Sequence, residues 1–216
     1  MASVDVVIPV LNEEKGLPIS IVALSTFLNE HLSNYLWRIV IVDNGSTDNT
    51  RQVSEKLVKE HSRVTYRYIP VKGRGLALRT AWLESESDIV SYMDVDLSTN
   101  LRAFPHLIAA IENGHDVATG SRLNSESKVK RSFKREMISR SYNIMIRSLF
   151  FLSLSDAQCG FKAVSRKAAD TIVPLIKDNN WFFDTELLII AIKRGFRVYE
   201  MPVEWSEDPD SRVKVF

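Results

Sequence analysis

Two carboxylates one residue apart, Asp94 and Asp96, follow an apolar run over 89–93. Acidic pairs of this spacing are common in surface turns, where they do no chemistry. At the end of a buried strand the same pair offers hard oxygen ligands for Mg²⁺ or Mn²⁺, cations held through one or two carboxylates plus substrate phosphates. Three other strand ends carry related groups: Asn12-Glu13-Glu14, then Asp43-Asn44-Gly45-Ser46-Thr47-Asp48, then Lys72-Gly73-Arg74-Gly75. Carboxylates suit the N–H groups of a nucleobase and the hydroxyls of a ribose, because hydrogen bonds to an ionised acceptor are the stronger kind. Lys72, Arg74 and the backbone around Gly73 and Gly75 suit phosphate, since glycine allows close approach and a following helix N-terminus favours anions. Taken singly, Lys72 and Arg74 also read as surface charges. These glycines are not a dinucleotide fingerprint, because they follow the third strand and a third glycine is missing. Arg122, leaving a short fifth strand, is a further cation for a phosphate. The ligand these ends describe is a nucleoside diphosphate held with a divalent cation.

The elements that position these groups follow from periodicity. Short apolar runs over 4–10, 37–42, 64–69, 89–93, 117–119, 161–164 and 197–203 predict strands. Amphipathic stretches over 17–30, 50–61, 75–84, 101–113, 167–176 and 185–193 predict helices between them. That alternation is the pattern of an α/β fold, a mostly parallel sheet flanked by helices. Ligands of such sheets sit outside the carboxyl ends of the strands, where the polar clusters fall.

At 216 residues the chain fits a single domain over 1–216. A net charge of +1 gives no global field for nucleic acid, so any basic patch is local. The lone cysteine, Cys159, excludes an internal disulfide and a cysteine-based zinc site, and its bland role is a small buried side chain. The four histidines are widely spaced, which argues against metal ligation by them. No signal peptide is visible, and no window reaches the roughly 18 uninterrupted apolar residues of a membrane span. The end at Val213-Lys214-Val215-Phe216 carries no stop signal, and a C-terminal truncation is expected.

The segment 128–154 breaks the rhythm. It holds seven basic residues (Lys128, Lys130, Arg131, Lys134, Arg135, Arg140, Arg147) and one acid, Glu136, before Ile144, Met145, Ile146, Leu149, Phe150, Phe151, Leu152 and Leu154. A basic stretch beside an apolar one suits an interfacial membrane helix, whose cations meet anionic headgroups. A solvated helix face followed by a core or dimer helix is the competing reading.

Seven blocks in order resemble family 2 glycosyltransferases of the GT-A fold, in particular the dolichyl-phosphate glucosyltransferase and dolichyl-phosphate mannose synthase group. They are Ile8-Pro9-Val10-Leu11-Asn12-Glu13-Glu14, Val42 to Asp48, Lys72 to Ala77, Met93-Asp94-Val95-Asp96, Gly120-Ser121-Arg122, Asp156-Ala157-Gln158-Cys159-Gly160-Phe161-Lys162, and Trp181-Phe182-Phe183-Asp184-Thr185-Glu186-Leu187-Leu188. The resemblance implies a Rossmann-like GT-A domain in which Pro9, Asn12, Glu13 and Asp43 line the nucleoside pocket. It implies that Asp94 and Asp96 hold the metal, that Arg122 lies near an acceptor phosphate, and that Arg212 in Ser211-Arg212-Val213 closes on the diphosphate. Mannose synthases usually continue the acidic pair with Leu-Gln, whereas this chain reads Leu97-Ser98. The blocks around Cys159 and Asp184 resemble the glucosyltransferase branch, which favours UDP-glucose over GDP-mannose.

The expected reaction is inverting transfer of a hexose to a polyprenyl phosphate, by a protein peripheral to the cytoplasmic face of a membrane. A phosphate acceptor needs no strong base. A saccharide hydroxyl acceptor, the rival reading, needs one, with Asp184 or Glu186 the candidates unless they cap the helix that starts there. A non-catalytic module that binds sugar nucleotides at a membrane is the alternative of another class.

Overall fold

Branched and aromatic residues in runs too short for helices form the main sheet. The computed structural model describes residues 1–207; Arg212 lies outside the described residues. In chain order the elements are β1 (Ser3–Val10), α1 (Gly16–His31), β2 (Leu36–Asn44), α2 (Thr50–Glu60), β3 (Val64–Ile69), α3 (Arg74–Glu84), β4 (Ile89–Met93) and α4 (Phe104–Glu112). They continue with β5 (Val117–Ser121), β6 (Lys128–Lys130), α5 (Phe133–Phe150), β7 (Phe161–Ser165), α6 (Arg166–Ile172), α7 (Phe183–Lys193), β8 (Val198–Pro202) and β9 (Glu204–Ser206). The strand order is β3-β2-β1-β4-β7-β5-β8, with β7 antiparallel to both neighbours and the other pairs parallel.

Period-two alternation sends β1 side chains to both faces. Val4, Val6, Ile8 and Val10 join the core under α1 and α4, with Leu17, Ile21, Leu24, Phe104 and Leu107. Val7 joins the other core with Leu78 and Trp82 of α3 and Leu187 and Leu188 of α7. With both faces covered, strands that are apolar on both sides are the expected sequence.

Three local expectations change. Residues 128–154 do not form one helix: β6 pairs in parallel with β9 in a small second sheet, and α5 starts only at Phe133. The helix expected over 167–176 stops at Ile172 and tightens into a 3₁₀ turn at Val173–Leu175, where Pro174 has no N–H to continue the α pattern. The helix expected over 101–113 likewise opens with a 3₁₀ turn at Leu101–Ala103, whose N-cap Asn100 accepts from Arg102 N–H.

Candidate active site

Asn12 lies two residues past the end of β1 and adopts a left-handed conformation (φ 58°), which asparagine tolerates better than most residues. Its side-chain oxygen accepts from Thr47 N–H at 2.7 Å, and its own N–H donates to Ser46 Oγ at 2.8 Å. Glu13 N–H donates to Thr50 Oγ1 at 2.7 Å. Asp43, fully buried at the end of β2, accepts from Ser46 N–H (2.8 Å) and from Tyr66 O–H (3.0 Å). The loops after β1 and β2 are thereby laced into one wall carrying Asn12, Glu13 and Asp43. Pro9 is buried beside it in β1, in register with Val42.

Arg74 is the first residue of α3. Its Nε and Nη2 both donate to Asp94 Oδ1, at 3.2 and 2.7 Å, while Nη1 donates to Asp184 Oδ2 at 2.8 Å. The guanidinium carbon lies 4.9 Å from the Tyr92 ring and 5.2 Å from the Trp181 ring. Burial disfavours its charge, but Asp94, Tyr92 and Asp184 outweigh that and hold its pKa well above the ordinary arginine value. The fit is tight because the neighbours are small: a Cβ on Gly160 would overlap Asp94 Oδ2, and one on Gly75 would come within 2.8 Å of Phe183 Cβ.

Asp184 sits on the first turn of α7 and is the hub behind Arg74. Its Oδ1 accepts from Lys162 Nζ at 2.9 Å and from the Tyr92 hydroxyl. Burial pushes its carboxyl up, but the charges of Lys162 and Arg74 outweigh this and hold it below the usual carboxylate range. Asp184 is buried, with both of its oxygens engaged by Arg74, Lys162 and Tyr92. Neither it nor Glu186 caps α7: the N-cap is Phe182, without a side-chain cap, and Glu186 Oε2 accepts from Lys177 and Asp178 N–H. The capping role considered for these two carboxylates from sequence is thus replaced by anchoring contacts to Arg74, Lys162 and the 177–178 backbone.

The acidic pair leaves β4 in a tight turn. Leu97 is forced into the left-handed region (φ 49°), its N–H donates to Asp94 O at 3.1 Å, and Ser98 N–H donates to Asp96 Oδ1 at 2.9 Å. A leucine there carries roughly 1–2 kcal/mol of backbone strain, a feature that clusters at functional sites. The Asp94 side chain is 43% exposed and Asp96 is exposed. No cluster of three or more His, Cys, Asp or Glu suited to a metal occurs among the described residues. Two partly open carboxylates fit Mg²⁺ or Mn²⁺ whose remaining ligands come from substrate phosphates and water, and do not fit a closed protein cage.

Across the site Arg122 follows β5, its Nε and Nη2 on the two oxygens of Asp156 at 2.8 and 3.1 Å. Burial pushes Asp156 up, yet Arg122 prevails and brings its pKa down to about 2. Arg122 is also within electrostatic reach of Asp94. The carboxyl ends of the strands thus gather Asn12, Glu13, Asp43, Arg74, Gly75, Asp94, Asp96 and Arg122, with Asp184 beneath them. Lys72 is exposed in the loop after β3, near Gly45. A cleft of about 430 Å³ lined by Ser3, Asp5, Arg38 and Glu84 lies at the opposite end of the strands and contains none of these residues.

Tyr92, Asp156 and Lys162 had no role assigned from sequence. Lys162 had a signal: it is the one charge in the otherwise apolar run Phe161-Lys162-Ala163-Val164, and a lysine facing a core needs a buried acid.

A Rossmann-like sheet with an acidic pair at the end of a central strand, flanked by two cations, defines the GT-A class of fold. The sequence profile of Glycosyl transferase family 2 matches residues 5–173, and the chain belongs to that family. It is 34% identical over 212 residues to the glycosyltransferase AglD of Haloferax volcanii, a match covering 97% of this chain and 34% of that protein. It is 32% identical to the dolichyl-phosphate beta-glucosyltransferase of Saccharomyces cerevisiae, covering 96% of this chain and 68% of the relative. The chain therefore spans about a third of the first and about two thirds of the second. Among solved structures, glucosyl-3-phosphoglycerate synthase from Mycobacterium tuberculosis in complex with UDP superposes with a TM-score of 0.72 at 20% identity, over 98% of this chain and 74% of that one. The same enzyme has also been solved with Mn²⁺, UDP and phosphoglyceric acid (TM-score 0.70, 19% identity, 96% and 72% covered).

Proposed function

We propose that the chain is a metal-dependent hexosyltransferase that moves a sugar from a nucleotide diphosphate, UDP-glucose ahead of GDP-mannose, to a polyprenyl phosphate. The observation that carries this reading is the position of Asp94 and Asp96 at the end of β4, with Asp94 in electrostatic reach of both Arg74 and Arg122. One acidic pair and two cations suit a site that handles two phosphate groups, one in the donor and one in the acceptor. The names of the relatives support the acceptor, since the yeast protein is a dolichyl-phosphate glucosyltransferase. The neighbour solved with UDP and Mn²⁺ supports the donor class.

In this reading the wall of Asn12, Glu13 and Asp43 receives the nucleoside. Asp94 and Asp96 hold a divalent cation, which when bound neutralises charge on the departing diphosphate. Arg122, fixed by Asp156, orients the acceptor phosphate, and Arg212 is assigned to the diphosphate. That phosphate is ionised near neutral pH, so its oxygen attacks the anomeric carbon without a base, and one displacement inverts the centre. The buried, doubly salt-bridged state of Asp184 favours this over a hydroxyl acceptor, which would require an available base.

The acceptor's lipid end needs an apolar surface. α5 buries Ser139, Asn143 and Ile146, and exposes Phe133, Met137, Ile138, Ile144, Met145 and Leu149 on its other side. It is tied to α7 beside Asp184 by the Tyr142–Thr185 hydroxyl pair at 2.9 Å. The basic character expected here is reduced, because Lys128, Arg131, Arg135 and Arg140 are paired with Glu204, Glu136, Glu207 and Glu136. Among the described residues no helix is long and apolar enough to cross a membrane. We assign the exposed face of α5 to a membrane surface and the lipid chain. The test is incubation with Mg²⁺, labelled UDP- and GDP-hexoses and polyprenyl phosphate. Label from UDP-glucose is expected in the lipid phase, and no transfer from any donor would overturn the reading.

A further inference from the structure

We infer that Arg74 is the resident counter-ion of Asp94 and competes with the divalent cation for it, so that cation and nucleotide diphosphate bind far better together than the cation does alone. The inference rests on the reading of Asp94 as a metal ligand. Two of the three guanidinium nitrogens converge on one Asp94 oxygen, while the third is held by Asp184. Asp184 is itself fixed by Lys162 and Tyr92. Arg74 thus has one anchor inside the fold and one at its surface. When a cation takes Asp94, the Asp184 contact and the flanking Tyr92 and Trp181 rings keep the guanidinium where it is.

Two consequences follow from charge. A cation arriving alone meets a carboxylate already neutralised at Oδ1 by Arg74, and must weaken that pair or sit beside a guanidinium that remains, so its affinity is lowered. A nucleotide diphosphate brings phosphate oxygens that can take the freed Nε and Nη2 edge of Arg74 and can also ligate the cation. Each ligand then tightens the other, by the same factor in both directions. In this account Arg74 is a positioning residue in the empty protein and a phosphate contact in the loaded one.

The test is Mn²⁺ affinity, read from the free-ion paramagnetic resonance signal, with and without saturating UDP. Wild type is expected to bind Mn²⁺ weakly alone and about tenfold or more tightly with UDP, within the ordinary range of coupling between sites. Arg74→Gln is expected to bind Mn²⁺ alone about fivefold tighter than wild type, with UDP then adding less than about threefold. Arg74→Lys, which keeps the charge but cannot fork between two aspartates, is expected to fall between them and serves if the Gln variant does not fold. Coupling that stays at the wild-type factor in the variants, or Mn²⁺ alone bound no tighter, overturns the inference and leaves the metal site standing. Absence of Mn²⁺ binding to wild type even with UDP overturns both.

Discussion

Lys162 Nζ lies 2.9 Å from Asp184 Oδ1, and neither side chain has appreciable contact with solvent. The pair joins β7, the antiparallel strand in the middle of the sheet, to the first turn of α7. It makes the floor on which Arg74 rests. Removing one member of a buried pair leaves the other uncompensated, at about 3–5 kcal/mol. Arg74 still neutralises part of Asp184, so Lys162→Met is expected at the lower end, about 3 kcal/mol less stable by urea unfolding. A loss below about 1 kcal/mol would show that the pair is not an anchor.

Asp156 sets an acid limit. Its pKa is lowered from 3.8 to about 2 by Arg122, against the opposing effect of burial. A depressed carboxyl contributes stability that is complete above the unfolded value and drains away as pH falls through about 4 towards about 2. The full contribution is about 2 kcal/mol. Urea unfolding at pH 5 and pH 3 should therefore show a stability loss about 1 kcal/mol smaller in Asp156→Asn than in wild type. An equal loss in both proteins would contradict the assignment.

Gly160→Ala separates site geometry from folding. The new methyl meets Asp94 Oδ2, the far end of a partly exposed side chain, and Gly160 needs no positive φ. Stability is expected to change by less than about 1 kcal/mol, while transfer falls about tenfold or more because the carboxylate is displaced. Unchanged transfer would mean that Asp94 need not stay where it is.

Charges placed on α5 test the lipid surface. Met145→Glu with Leu149→Glu alters two half-exposed or exposed side chains and no core residue. Co-sedimentation with vesicles containing anionic lipid should fall about tenfold or more, with the melting temperature unchanged. Undiminished vesicle binding would remove α5 from the interface.

Most of the fold could be read because its strands are apolar on both sides and its helices are not. The runs at 64–69 and 89–93 matched β3 and β4 residue for residue. β6 and β9 could not be read in this way, since three residues such as Lys128-Val129-Lys130 carry no periodicity and pair with a segment some 75 positions away. Nor does an apolar run reveal that β7 is antiparallel. In the site, the strand-end positions of Asp94, Asp96 and Arg122 were legible, because Asp94 and Arg122 directly follow a strand and Asp96 comes two residues after Asp94. The role of Asp184 was not. Carboxylates opening a helix look alike as caps, bases or anchors until their partners Arg74 and Lys162 are seen to converge on one of them.

The central claim is that Asp94 and Asp96 hold a sugar nucleotide through a divalent cation, and calorimetry tests it most directly. UDP-glucose titrated into the protein with Mn²⁺ should bind with measurable heat, which a chelator abolishes and Asp96→Ala reduces by about tenfold or more without loss of fold. Binding that is indifferent to the chelator and to Asp96→Ala, or no binding at all, would contradict the account.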